Sequence, residues 1–245
     1  QPDAILIYSG HNEYYGALGV ASRVAPARSP VLARTYLKLR RLKLFTLMRN
    51  ALGLARGAKP SGRRRDEDFD PSATLMERMV GVRSIPYGSR LHEQGKQQFA
   101  ANLDRIYRKA YRAGVPVVIS ELVSNVRDQE PFVSLTDGRV PPAEAIFDEA
   151  RNRDREDDYA RAKPLYERAR DLDALRFRAP EEFNEIIHAT AQQYHGPVVA
   201  MKACFEAASP SGLVGNDLMV DHLHPNIDGC FLMAKAFFET LRQSD

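Results

Sequence analysis

Apolar side chains gather in three short runs along the chain: Ala4 to Tyr8 (A-I-L-I-Y), Val115 to Ser120 (V-P-V-V-I-S) and Pro197 to Met201 (P-V-V-A-M). Each is short and lacks polar alternation, so each is predicted to be a buried strand rather than an amphipathic helix. Helical periodicity precedes the second and third runs. Phe99, Leu103, Ile106, Tyr107 and Ala110 share one face ahead of Gly114, and Phe183, Ile186, Ile187 and Ala191 do so ahead of Gly196. Glycine just past a helix suits the left-handed C′ position. After the third run, Phe231, Ala234, Phe238 and Leu241 form a further stripe. The order strand, helix, strand, helix, strand, helix predicts an α/β fold around a parallel sheet.

Two helical insertions, at about residues 17–90 and 141–175, interrupt a single domain that spans 1–245. In the first, Val31 to Ala55 reads as a basic amphipathic helix. Leu32, Tyr36, Leu39 and Leu47 fall near one face, and Arg34, Lys38, Arg41 and Arg49 near another. It fits an ordinary packed helix, or a helix that touches a membrane surface or covers a site. Arg56 to Pro71 is polar and reads as a surface loop. The second insertion is strongly charged and predicts two helices with solvated faces. Tyr159 to Leu172 has the texture of a helical-repeat segment, although the chain shows no convincing repeat.

Composition adds one asymmetry. With 245 residues, 44% hydrophobic and 27% charged, the chain is ordinary for a globular domain. It holds no apolar run of the roughly 18 residues that a membrane-spanning helix needs. The net charge of +3 conceals a block from Tyr14 to Arg65 with 13 Lys and Arg and no Asp or Glu. Such a block points to an anionic partner, with membrane-surface contact through residues 31–56 as the candidate. Nucleic acid is not expected, because aromatic interleaving and a binding motif are absent. Cys204 and Cys230 form no disulfide framework or zinc spacing and are expected to be buried thiols. The chain opens on Gln1-Pro2-Asp3 without an initiator Met, so its true start is expected elsewhere.

Candidate chemistry lies on the loops that follow the apolar runs. In an open parallel sheet, ligands bind outside the carboxyl ends of the strands. Ser9-Gly10-His11-Asn12-Glu13 lies at one such end, where the Asn12 amide can donate to a developing oxyanion. Asp221-His222-Leu223-His224-Pro225-Asn226 precedes the last helix. An Asp three residues before a His can hold one ring nitrogen and leave the other as a general base. That spacing equally suits a capping Asp beside a surface His. Asn226 is placed to cap the helix that follows. His222 and His224 also form an H-x-H pair that can bind a metal, for which His11 or Asp221 would supply a further ligand. Ser124-Asn125-Val126-Arg127-Asp128, after the second strand, is a candidate substrate loop or simply a structural one.

Together, S-G-H-N-E-Y-Y-G at Ser9 to Gly16 and S-P-S-G-L-V-G-N-D-L-M-V-D-H-L-H-P-N at Ser209 to Asn226 resemble the third and fifth sequence blocks of the SGNH (GDSL-type) hydrolases. The chain more closely resembles the branch that writes its third block G-H-N-E or G-N-N-E, followed by aromatics and glycine, a branch that often accompanies tetratricopeptide repeats in bacterial proteins. S-N-V-R-D-Q-E-P-F at Ser124 to Phe132 and D-L-D-A-L-R-F-R-A-P at Asp171 to Pro180 extend the resemblance. It implies a three-layer α/β/α, flavodoxin-like fold with a parallel sheet whose N-terminal strands are missing. It also implies serine-dependent hydrolysis of a small-molecule or glycan ester, carbohydrate O-acyl or lipid-like, with no cofactor or metal. Asn12 would donate to the oxyanion with Gly10 in support, His224 would be the general base and Asp221 its orienting acid. Substrate contacts are expected from His11, Glu13, Asn125 and Arg127.

The serine block of that family is not in the chain, and neither G-D-S nor G-x-S-x-G occurs. The nucleophile is therefore expected upstream of Gln1, leaving an unpaired strand edge beside Ala4 to Tyr8 and a fragment inactive by itself. The basic insertion leans towards a bacterial cell-envelope or periplasmic setting. Two alternatives stay open: a non-catalytic binding or scaffold module, and a metal-dependent hydrolase that uses His222 and His224.

Overall fold

All three apolar runs form strands, but short ones. The computed structural model describes residues 2–16, 18–22, 35, 38–55, 84–136 and 138–244. Strand β1 is Ile5–Ile7, β2 is Val117–Ser120 and β3 is Val198–Val199. They pair in parallel in the order β1-β2-β3, with Ile5 opposite Val117 and Ile119 opposite Val198. Seven α-helices occur among the described residues: α1 (Lys43–Ala55), α2 (Arg90–Arg112), α3 (Ala143–Arg155), α4 (Tyr159–Leu172), α5 (Glu181–Gln193), α6 (Met201–Ala208) and α7 (Ile227–Ser244).

This corrects the expected fold class. A three-layer, flavodoxin-like α/β/α domain needs a broad sheet, and the described residues instead form a mostly helical chain around a sheet with strands of three, four and two residues. The physical cause is visible at the strand ends. Beyond β2, the N–H of Leu122 donates to Asn184 Oδ1 at 2.8 Å, and its carbonyl accepts from Asn184 Nδ2 at 3.1 Å. A side chain of α5 thus takes the place of a neighbouring strand. Beyond β3, the chain turns directly into α6 at Met201.

Three apolar clusters hold the helices together. Phe99, Leu103 and Tyr107 of α2 and Phe183 and Ile187 of α5 pack with Val117 and Ile119. Val118 and Val199 pack with Met201 and Phe205 of α6 and Ala236 of α7. Phe147 and Ala150 of α3 meet Ala162, Tyr166 and Ala169 of α4 within the second insertion. Asp158 starts α4 by accepting the N–H of Arg161 through its side chain.

The helix faces follow the sequence pattern with instructive exceptions. Ile106 lies at the margin of the α2 stripe and is exposed. Gly114 has the positive φ of a helix end, but after α5 it is His195 that adopts it. Gly196 is needed for space instead, since a Cβ there would crowd the Tyr107 ring and the Val117 carbonyl. On α7 most of the expected stripe faces outward, with Phe231 73% exposed, Phe238 64% and Ala234 exposed as well, while Leu241 packs against the core. Leu232, Met233, Ala236 and Phe237 meet the core in its place. Phe238 joins Leu6 of the edge strand β1, with Tyr8, Ala234, Phe237 and Leu241, around an open apolar groove. The expectation of two buried thiols also fails: Cys204 is half-buried and Cys230 exposed.

In the first insertion, Lys38 and Leu39 are helical, Arg40 and Arg41 turn, and α1 follows from Lys43. Val31 to Arg34, Tyr36 and Leu37, and the loop expected at Arg56 to Pro71, lie outside the described residues.

Candidate active site

Residues 218–226 form a closed turn. Met219 bridges Pro225, the Val220 N–H donates to the His224 carbonyl at 2.8 Å, and the Asn226 N–H donates to the Leu218 carbonyl at 2.9 Å. Asp221 organises the tip. Its Oδ1 accepts the backbone N–H groups of Leu223 and His224, each at 2.8 Å, and its Oδ2 lies 2.7 Å from His224 Nδ1. Partial burial works to raise the Asp221 pKa, but the two backbone donors and the His224 ring outweigh it and hold the carboxyl at about 2. The carboxylate is therefore ionised, and the neutral His224 ring keeps its proton on Nδ1. The His224 side chain is 68% exposed, which leaves Nε2 open as a base. Asn226 then caps α7, its Oδ1 accepting the Gly229 N–H at 2.9 Å.

The loop after β1 is tight and anchored. The Glu13 N–H donates to the Gly10 carbonyl, and the Gly16 N–H to the Asn12 carbonyl. A side chain at Gly10 would collide with Leu122 Cδ1, so glycine lets the loop press onto the chain beyond β2. Tyr14 and Tyr15 are fully buried. The Tyr14 ring stacks on Phe183 at 5.6 Å, and the Tyr15 hydroxyl accepts the Arg176 N–H at 3.2 Å. Asn12 points outward and is exposed.

His11 anchors its turn to Ala179 and Tyr8. Its Nδ1 accepts the Ala179 N–H at 3.1 Å, and its Nε2 lies 3.4 Å from the Tyr8 hydroxyl, which itself donates to the Val123 carbonyl. An acceptor at Nδ1 places the His11 proton on Nε2. Burial, with the charges of Arg170, His222 and His224 in support, lowers the His11 pKa to about 3. The hydrogen bond from Ala179 ties the Gly10–Glu13 turn to the segment that carries Phe177, whose ring lies 5.8 Å from that of His222.

The other expected contacts divide. Asn125 is buried and holds loops together: its N–H donates to the His222 carbonyl at 3.1 Å, and its side chain joins Asn216 and the Asp128 N–H. Glu13 turns towards α2, where Asn102 hydrogen-bonds it, and burial raises its pKa. Arg127 makes two 2.8 Å bonds to Asp154 of α3. Glu13 and Arg127 are thus engaged away from the dyad. His222 packs edge-on to Phe132 at 5.2 Å and tilted to Phe177 at 5.8 Å. Burial lowers its pKa, Asp221 works the other way, and Arg178 adds to the lowering.

A buried charge cluster supports this arrangement, and motif reasoning misses it. Arg178 donates through Nη1 to the carbonyls of Asn125 and Gln129, both at 2.9 Å, and through Nη2 to Asp173 at 3.2 Å. Asp173 in turn accepts the N–H groups of Phe132, Val133 and Leu175, each at 3.0 Å. Arg176 donates to the carbonyls of Ile85 and Asp171, and Arg170 pairs with Asp171 and Glu181. The signal was present: D-L-D-A-L-R-F-R-A-P interleaves charges with apolar residues between two helices.

Among the described residues, no three His, Cys, Asp or Glu side chains are grouped to hold a metal ion. Ser9 is exposed at the end of β1, Ser89 caps α2 by accepting the His92 N–H at 3.2 Å, and Ser124 is buried. Comparison of the chain with protein-family models, with curated proteins and with solved structures finds no match.

Proposed function

We propose that this protein takes part in serine-dependent ester hydrolysis, with His224 as the general base and Asp221 as its orienting acid. The observation that carries the reading is the Asp221 carboxylate, fixed by two backbone N–H groups, 2.7 Å from His224 Nδ1 while the far side of the ring is open. That arrangement holds the tautomer needed to take a proton at Nε2 and stabilises the imidazolium that results. The exposed Asn12 amide, on the Gly10–Glu13 turn, is the candidate oxyanion donor. A serine hydroxyl attacks the acyl carbon, its proton passes to His224 Nε2, and the same proton then goes to the leaving alcohol. Water, deprotonated by the same nitrogen, then attacks the acyl carbon, and that proton returns to the serine oxygen as the acid leaves. Among the described residues no serine hydroxyl bonds His224, so a serine outside them has to fill that role.

A fluorophosphonate probe tests this on the natural protein. One serine becomes labelled, and His224→Ala slows the labelling by at least about 100-fold. No labelling above that of a denatured control overturns the proposal. It would also favour the second reading, a binding module that does not turn over, which the absence of a described hydroxyl at His224 supports.

A further inference from the structure

The strongest feature outside the candidate site is α1 and the turn before it. Leu44, Leu47 and Met48 are 67%, 66% and 56% exposed. Their spacing puts them on one stripe, and the exposed Ala51 continues it. A helix that buried an apolar face in the protein core would hide these positions. Leu39 and Leu42, just before the helix, are exposed as well. Lys38, Arg40, Arg41 and Lys43 are interleaved with them and are exposed too. No acidic side chain among the described residues pairs with any of the four.

That charge arrangement works against an isolated helix. The N-terminus of a helix already carries partial positive charge, and the first turn of α1 contains no acid to balance it. Four cations clustered there raise the potential further. An anionic surface removes this cost and accepts the leucine stripe at the same time.

We infer that α1 and the preceding turn dock onto an anionic lipid bilayer, lying in the headgroup plane with Leu44, Leu47 and Met48 inserted. Charge complementarity decides the occupant. A second copy of α1 would cover the leucine stripe but bring no acidic side chain of that helix to the four cations. Nucleic acid would match the charge but leave the exposed apolar stripe in water. The geometry fits a surface helix: 13 residues span about 20 Å, against about 30 Å of hydrocarbon in a bilayer. No helix among the described residues is long and apolar enough to cross a membrane. This inference does not depend on the hydrolase reading.

Co-sedimentation of the natural protein with vesicles tests it, using phosphatidylcholine alone and phosphatidylcholine mixed with phosphatidylglycerol. Binding is expected to the anionic vesicles, weaker at high salt. Replacing Lys38, Arg40, Arg41 and Lys43 by Gln should weaken it by about 600-fold, roughly fivefold per cation. Leu44→Gln with Leu47→Gln and Met48→Gln should weaken it by about tenfold or more. Glutamine keeps helix propensity close to that of the residues replaced, and circular dichroism checks that the helix content is unchanged. No binding to anionic vesicles, equal binding to neutral ones, or unchanged binding by both variants overturns the inference. So does concentration-dependent dimerisation that either variant abolishes, because α1 would then serve a second copy.

Discussion

The buried guanidinium of Arg178 lies 3.2 Å from the equally buried Asp173 carboxylate, and this pair ties together the loops beside the candidate dyad. Arg178 reaches the Asn125 carbonyl, and the Asn125 N–H holds the His222 carbonyl. Breaking a buried pair leaves a charge without its partner, at about 3–5 kcal/mol. Asp173→Ala is therefore expected to lower unfolding free energy by that amount in urea titration. A loss below about 1 kcal/mol would show that the pair is not holding these loops.

Acid stability should carry the signature of His11. Its pKa falls from 6.5 to about 3, first because of burial and then because of nearby positive charge. The unfolded chain takes up a proton below about pH 6.5, and the folded protein does so only near pH 3. The stabilising effect of a neutral His11 is thus fully present above pH 6.5 and lost as pH falls through that window. The slope for one such group approaches about 1.4 kcal/mol per pH unit. His92 and His222 are shifted the same way by burial, so the test is a difference. His11→Gln should lose about one proton's worth of slope between pH 6 and pH 4 relative to wild type. Parallel stability curves would refute the buried, neutral His11.

Gly95 sets two effects against each other. It lies inside α2, where alanine would gain about 1 kcal/mol of helix propensity. A Cβ there would strike the ring of Tyr14, which is fully buried and stacked on Phe183. Overpacking of this kind costs about 1–3 kcal/mol and the ring has no room to retreat. Gly95→Ala is expected to lower the midpoint of thermal unfolding. A higher midpoint would mean that the Tyr14 anchor yields easily.

What could be read from the sequence was local. Asp221 and His224 are three residues apart, so a single turn brings them together, and Asn226 caps the next helix by the same short-range logic. The strands also announce themselves as apolar runs. Their lengths do not, because Asn184, 62 residues from Leu122, decides where β2 stops. Periodicity finds the α7 stripe, but that helix has two apolar sides, and only tertiary packing selects Met233 and Phe237 over Phe231 and Phe238. Arg127 and Glu13 sit beside the right motifs, yet Asp154 and Asn102 draw their side chains elsewhere. The alternation of charged and apolar residues from Asp171 to Pro180 hints at buried arginines, but Arg176 and Arg178 bind largely to backbone carbonyls, and the pattern does not name those partners.

Ester turnover in the natural protein, compared between wild type, His224→Ala and Asp221→Asn, tests the central proposal most directly. His224→Ala should lower kcat by several orders of magnitude with KM little changed, since the imidazole acts on the proton and not on substrate binding. Asp221→Asn should lower kcat by about two to four orders, through loss of the Nδ1–H tautomer. Near-normal turnover by His224→Ala would contradict the assignment of the Asp221–His224 pair as the base of the reaction.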